Sequence, residues 1–186
     1  MQRDRSVADT RRHRFENLAA EVYEPLQRYV SRRVEPDAVD DITSETMLTL
    51  WRRLDDLPAN ARLPWTYGVA RRHIANHRRT ALRHLRLVRR AEAEPPPVSA
   101  SDHPLDAELH TALAALNKTD QELLNLWSWE QLEPGEIAVV LGLTSNAVSI
   151  RLHRAKKKLG ENLEIARKNE TFSGHSHRES RKEDRS

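Results

Sequence analysis

Nine arginines (62, 71, 72, 78, 79, 83, 86, 89 and 90) fall between Arg62 and Arg90, with no Asp or Glu among them. A run so one-sided attracts a polyanion, because the arginine fork fits phosphate oxygens in pairs. Trp65 and Tyr67 stand at its start, where aromatic rings could stack on unpaired bases. Both rings could instead be core, the reading favoured for Trp65. Upstream the sign reverses. Asp37, Asp41 and Glu45 are spaced four apart, so on a helix they share a face and repel one another. Nothing within that segment neutralises them. The row is either a solvated face or a surface waiting for a basic partner, and the local residues leave both open.

A second pattern, EIAVVLGLTSNAVSIRLHRAKKKL, runs from Glu136 to Leu159. Ala138 is small where two helices must meet, Gly142 falls where a left-handed backbone costs least, and Val148 packs back into the junction. This spacing is the one a helix-turn-helix requires. Val148, Leu152, Ala155 and Leu159 then form the inward stripe of the second helix. Asn146, Ser149, His153 and Arg154 are left on the exposed side, and Lys156 to Lys158, Lys157 among them, extend the positive surface. Such a helix suits the major groove, with polar groups reading base edges and basic ones holding phosphates. The alternative is an ordinary helical hairpin with a solvated basic face; the spacing and the basic flank together favour DNA binding.

Metal chemistry fits poorly. His73 and His77 sit four apart, a spacing that can hold zinc, but Ile74 stands where a zinc protease needs Glu. No third ligand is evident, and Arg71, Arg72, Arg78 and Arg79 would repel a cation. His175 and His177 form an equally weak pair. No metal, cofactor or catalytic residue is therefore expected.

The elements that must position these groups are helical. Phe15, Leu18, Val22, Leu26 and Val30 recur at helical period, with Pro25 expected to kink or break the run. Val39, Ile42, Leu50, Trp51 and Leu54 mark the buried side of a second helix. Asp55 to Pro64 reads as a loop. A third helix from about Trp65 to Arg90 carries Tyr67, Ala70, Ile74, Ala81, Leu85 and Val88 along one stripe. Further helices are expected over 105–116, 119–131, 134–141 and 145–167. Thr119 and Glu122 are expected to form a capping box, and Pro134 to open the helix it starts. The fold expected is all-α: two small helical domains, 15–90 and 105–167, joined by a flexible Pro-rich linker over 91–104, the second domain holding the helix-turn-helix. Residues 1–14 and 168–186 read as disordered tails.

Charged residues make up 32% of the 186, against 38% apolar, as suits thin-cored helical units. The net charge of +3 says little, because the charge is so unevenly spread. There is no cysteine, hence no disulfide framework and no thiolate metal site, which fits a reducing compartment. No apolar run approaches the ~20 residues of a membrane span, and Met1 to Arg14 lacks the apolar core of a signal peptide. A cytoplasmic protein without membrane insertion is expected.

Taken together, these segments resemble an extracytoplasmic-function sigma factor of the sigma-70 family, from Phe15 to about Leu163. DAVDDITSETMLTLWRRL (37–54) is similar to region 2.2, the docking helix for the clamp helices of the polymerase beta-prime subunit. The resemblance places Asp37, Asp41, Ser44, Glu45 and Met47 on that contact and so decides the reading of the acidic row; Ser44 replaces the usual Gln. LPWTYGVARRHIANHRR (63–79) resembles regions 2.3 and 2.4, which engage the minus-10 element and its melted strand. The resemblance implies contacts there from Arg71, Arg72, Asn76, Arg78 and Arg79. The preceding loop corresponds to one that captures a flipped-out base, with Asn60 and Arg62 as its candidate residues. Residues 116–159 resemble region 4, the minus-35 reader, whose DNA contacts fall on Asn146, Ser149, Ile150, His153, Arg154 and Lys157. Many members carry Arg where this chain has Ser149, so a paired guanine contact is expected to be missing. Regions 1.1 and 3 have no counterpart.

The resemblance implies a non-enzymatic protein that binds RNA polymerase core through its beta-prime and beta subunits. It also implies promoter DNA as a partner and a sequestering anti-sigma factor. The competing reading is a stand-alone helix-turn-helix regulator, which would bind duplex DNA by itself, commonly as a dimer on two half-sites. The acidic row and the basic helix speak against it.

Overall fold

The computed structural model describes residues 2–88 and 104–179, all of its long elements being helices. The expected linker lies outside the described residues except for Pro104. In order come α1 (Gln2–Ser31), α2 (Val39–Arg52), α3 (Arg62–Val88), α4 (Pro104–Ala114), α5 (Lys118–Ser128), α6 (Pro134–Leu141) and α7 (Ser145–Glu179). Short 3-10 turns at Pro36–Ala38 and Leu54–Asp56 flank α2. The all-α class is as the apolar periodicity requires.

Two compact units result. The first takes residues 1–94 together with 132–145, so that α6 groups with α1, α2 and α3. Its core is built on Leu18, Val22, Leu50, Leu54 and Val69, with Phe15, Met47, Leu57, Leu63 and Trp65 packed against it. Tyr29 and Tyr67, both buried, stack with ring centroids 4.5 Å apart. Tyr67 is thus structural and presents no ring for base stacking, while Trp65 is half-buried against the core. Gly68 lies where α3 meets α6: a Cβ there would stand 3.4 Å from the Val140 carbonyl oxygen, at the near edge of ordinary van der Waals contact.

Three expectations for this unit are corrected. Helix α1 begins at Gln2, where a disordered tail over 1–14 was expected. Arg11 and Arg14 tie its first half to the turn after α2, as described below. Secondly, of the kink or break expected at Pro25, the break does not occur: α1 continues through it as one helix. A proline inside a helix costs about 3 kcal/mol. Val22, Leu26, Tyr29 and Val30 are all fully buried around it, and each such side chain contributes about 1.5–3 kcal/mol, so packing outweighs the break. Thirdly, the inward stripe of α3 ends at Ile74. Ala81 is exposed because the helix runs on past the core, and the side chains of Leu85 and Val88 lie outside the described residues.

The second unit takes 95–131 and 146–186. Leu116, Leu124, Leu152 and Ala155 form its core, with Leu113 and Leu159 against them. The Gln121 amide donates to the carbonyls of Leu113 and Leu116, and Asn162 donates to that of Ala112, tying α5 and α7 to α4. The cap of α5 differs from expectation. Asn117 is the N-cap, its side chain accepting from the Asp120 amide at 2.9 Å, so the helix starts before Thr119 and the Thr119–Glu122 box does not form. Asn is among the strongest capping residues, and here it outcompetes the later threonine. Just beyond α5, Gln131 holds φ at 55°, a left-handed conformation that costs a non-glycine residue about 1–2 kcal/mol. Helix α7 continues to Glu179, past the point at Lys168 where a disordered tail was expected.

Candidate nucleic-acid interface

The two helices and the intervening turn that the spacing predicts are present over residues 134–159. Pro134 occupies the first turn of α6, and Glu133 and Glu136 close a reciprocal capping box around it. Gly142 caps α6 with φ 67° in the left-handed region, and the Leu143 amide returns to the Ala138 carbonyl at 3.0 Å. No atom crowds the position of a Gly142 Cβ, so conformation alone explains the glycine. On α7, Val148, Leu152 and Ala155 are buried and Leu159 half-buried. Asn146, Ser149, Ile150, His153, Arg154 and Lys157 are all exposed. Ile150, 46% exposed on the face opposite Val148, Leu152 and Ala155, is available for apolar contact, for example with a thymine methyl. The Lys156 ammonium sits 3.3 Å from the ring centroid of Trp127, itself exposed.

In the first unit, α2 and α3 carry opposite charge. Asp37 lies in the 3-10 turn ahead of α2; Asp41, Ser44 and Glu45 are exposed on the helix itself, while Met47 leans into the core. The acidic row is not wholly without a basic neighbour. His73 of α3 places Nδ1 3.0 Å from Glu45 Oε2 and Nε2 3.0 Å from Thr49 Oγ1, so its ring is held between two side chains of α2. This occupies a histidine considered for zinc. Among the described residues no group of three or more possible metal ligands occurs.

Along α3, Arg71, Arg72, Asn76, Arg78 and Arg79 are exposed. Arg79 donates to the Asn76 side-chain oxygen at 2.7 Å, along the helix, and Arg78 donates to the Arg33 carbonyl just after α1 at 2.7 Å. Arg33 in turn lies over Tyr29, 3.7 Å from the ring centroid.

Between α1 and the stretch 54–62 lies a cavity of about 250 Å³. Leu18, Leu54 and Leu57 supply its apolar lining, Ala59 and Arg62 its loop side, and Arg14 and Asn17 of α1 the opposite wall. Arg62 is held by Glu21 at 3.0 Å. Asn60 is exposed beside this cavity's loop but does not line it. The loop is fixed by a clasp. Arg11 and Arg14 each place Nη1 2.8 Å from a different oxygen of Asp55, and Arg11 also donates to the Trp51 carbonyl at 2.9 Å. The hydrogen bond from Arg14, and the charges of both arginines, hold the Asp55 carboxyl below its ordinary value. Sequence reasoning missed Arg11, Arg14, Asn17 and Asp55. The available signal was the pair of arginines three apart at 11 and 14, which on a helix share a face.

The comparisons with known proteins agree with this architecture. Residues 18–90 match the family model Sigma-70 region 2, and residues 106–159 match Sigma-70, region 4. The chain is 31% identical over 172 residues to the RNA polymerase sigma factor CarQ of Myxococcus xanthus, covering 82% of this chain and 94% of that protein. It is likewise 31% identical over 140 residues to the RNA polymerase sigma-E factor of Streptomyces avermitilis, covering 72% and 76%. Among solved structures, the sigma factor RpoE of Bartonella quintana, in complex with the anti-sigma factor NepR, superposes with a TM-score of 0.60 at 19% identity. That match covers 81% of this chain and 97% of that one. CnrH, in complex with the cytosolic domain of CnrY, gives 0.54 at 24% identity over 81% and 88%. At those identities the two structures speak for the fold. With both family models matched in order and a relative 31% identical over 82% of this chain, the chain belongs to the sigma-70 family, as an RNA polymerase sigma factor of the extracytoplasmic-function type.

Proposed function

We propose that this protein docks on bacterial RNA polymerase core and directs it to promoters by reading a minus-10 and a minus-35 element, without covalent chemistry of its own. The observation that carries the reading is the opposition of charge within one small unit: an acidic face at Asp37, Asp41 and Glu45 on one side, exposed arginines along α3 on the other. One surface fits a basic protein partner and the other a polyanion, so two different partners are served at once. The functional domains are 15–90, for the core and the minus-10 element, and 105–167, for the minus-35 element. Asp37, Asp41, Ser44 and Glu45 meet the beta-prime subunit, with Met47 supporting them from beneath. Arg71, Arg72, Asn76, Arg78 and Arg79 follow the melted strand. Asn146, Ser149, Ile150, His153, Arg154 and Lys157 face the minus-35 groove.

Opening the duplex follows from binding the unpaired form better than the paired one, which shifts a population and needs no catalysis. A base pulled from the stack costs a few kcal/mol, which a pocket at the 54–62 loop repays selectively. An anti-sigma factor that covers the core-binding faces is the partner such a protein requires in the cytoplasm when it is not in use; RpoE was solved with the anti-sigma factor NepR, and CnrH with the cytosolic domain of CnrY. Each DNA site alone is weak, and polymerase core makes them act as one. The purified protein should therefore show little sequence-specific affinity for duplex promoters until core is added, as read by fluorescence anisotropy. Tight specific duplex binding by the protein alone would favour a free-standing regulator.

A further inference from the structure

The proposed function leaves open what the cavity beside the 54–62 loop recognises, and with which atoms. Its polar lining consists of Arg14, Asn17 and Arg62. The two arginines are already committed: Arg14 to Asp55 at 2.8 Å and Arg62 to Glu21 at 3.0 Å. They are also donors only. Asn17 differs on both counts. It is exposed, no hydrogen bond within the described residues engages its amide, and that amide offers a donor and an acceptor side by side. A donor–acceptor pair of that kind can meet a nucleobase edge in two hydrogen bonds. The remaining lining is apolar, with Leu18, Leu54 and Leu57 suited to the faces of a planar ring. At about 250 Å³ the cavity falls just below the usual range for small-molecule sites, of a size for a single base rather than a larger ligand.

The wall that carries Asn17 is also held in place. The clasp of Arg11 and Arg14 on Asp55 fastens α1 to the turn after α2, so the two sides of the cavity keep a fixed separation. Backbone contacts reinforce it, from Arg11 to the Trp51 carbonyl and from Arg14 to that of Leu54. A reading group is useful only on a rigid wall, because a bidentate contact tolerates little displacement.

We infer that Asn17 is the base-reading residue of this cavity: the first helix, and not the loop alone, sets which nucleobase of the opened minus-10 strand is accepted. This rests on the sigma reading. The test uses the full chain in complex with polymerase core, in run-off transcription from a promoter that the wild-type complex uses, with all four bases placed in turn at each minus-10 position. Asn17→Ala should flatten the base preference at one position by about fivefold or more, the scale of a lost bidentate contact, and leave the other positions unchanged. Asn17→Asp, which can only accept, should move the preference at that same position toward guanine, whose N1–H and N2–H both donate. Preferences that survive both substitutions at every position would overturn the inference, with the sigma reading intact. A uniform fall in transcription with the ratios unchanged would overturn it too, since Asn17 would then be a structural residue. No promoter-specific transcript from the wild-type complex would remove the sigma reading itself, and the inference with it.

Discussion

Asp55 shows how single side chains set a working surface here. Its carboxylate lies between Arg11 and Arg14 on an exposed part of the molecule, where solvent screens an ion pair and leaves it little weight in stability. What the two arginines supply is geometry. Their effect on titration has a definite sign: the folded protein lowers the Asp55 pKa, so the interaction is fully present above the ordinary value of 3.8 and is lost as pH falls through the depressed one. An NMR titration of the Asp55 carboxyl should show a midpoint below the ordinary carboxylate range, returning upward in Arg14→Ala. A midpoint at the ordinary value in the wild type would mean that the clasp is open in solution. The spacing of Arg11 and Arg14 shows only a shared helix face; their partner is not visible from residue types, because Asp55 lies more than forty positions away and the arginines sit in a stretch whose composition suggests fraying.

At the level of the element, α7 separates packing from recognition along one helix. Leu152 is 5% exposed and belongs to the core of its unit, whereas Arg154 and Lys157 face solvent. Leu152→Ala should therefore cost about 2–5 kcal/mol by the loss of buried methyl groups and the cavity left behind. Arg154→Ala should leave thermal unfolding nearly unchanged while weakening minus-35 binding. Calorimetry and transcription from promoters with an altered minus-35 element distinguish the two, and a stable Leu152→Ala protein would contradict the packing assigned to α7. This inward and outward division was legible in the sequence, since helical period alone separates Val148, Leu152 and Ala155 from Asn146, His153 and Arg154. So was the turn at Gly142, where backbone conformation forces the residue type. Element ends were less legible. The persistence of α1 through Pro25 depends on burial on either side, and the cap at Asn117 on competition between two good capping residues. Periodicity reports neither. It also overextended the stripe of α3, because apolar residues go on recurring at Ala81 after the core has ended.

For the whole molecule, the consequential feature is that faces of opposite charge and a helix-turn-helix reside in one chain whose two family segments follow in order, at 18–90 and 106–159. Either DNA surface alone can hold phosphates, a salt-sensitive and sequence-independent interaction. On the proposed function, promoter choice arises when polymerase presents both at once. His73 adds a link between the surfaces, since it belongs to the arginine-rich helix yet meets Glu45 on the acidic one. The pairing of these helices could not be anticipated from residue types, as it requires knowing which face of α3 turns toward α2. The role as a core-bound specificity factor is tested most directly by run-off transcription with sigma-free core on promoter fragments from the same genome. The account predicts discrete transcripts with the wild-type protein, abolished in the Asp41→Arg/Glu45→Arg variant while its fold is retained. Transcripts that persist in that variant would contradict the docking face, and their absence with the wild type, alongside tight specific duplex binding by the protein alone, would contradict the sigma role.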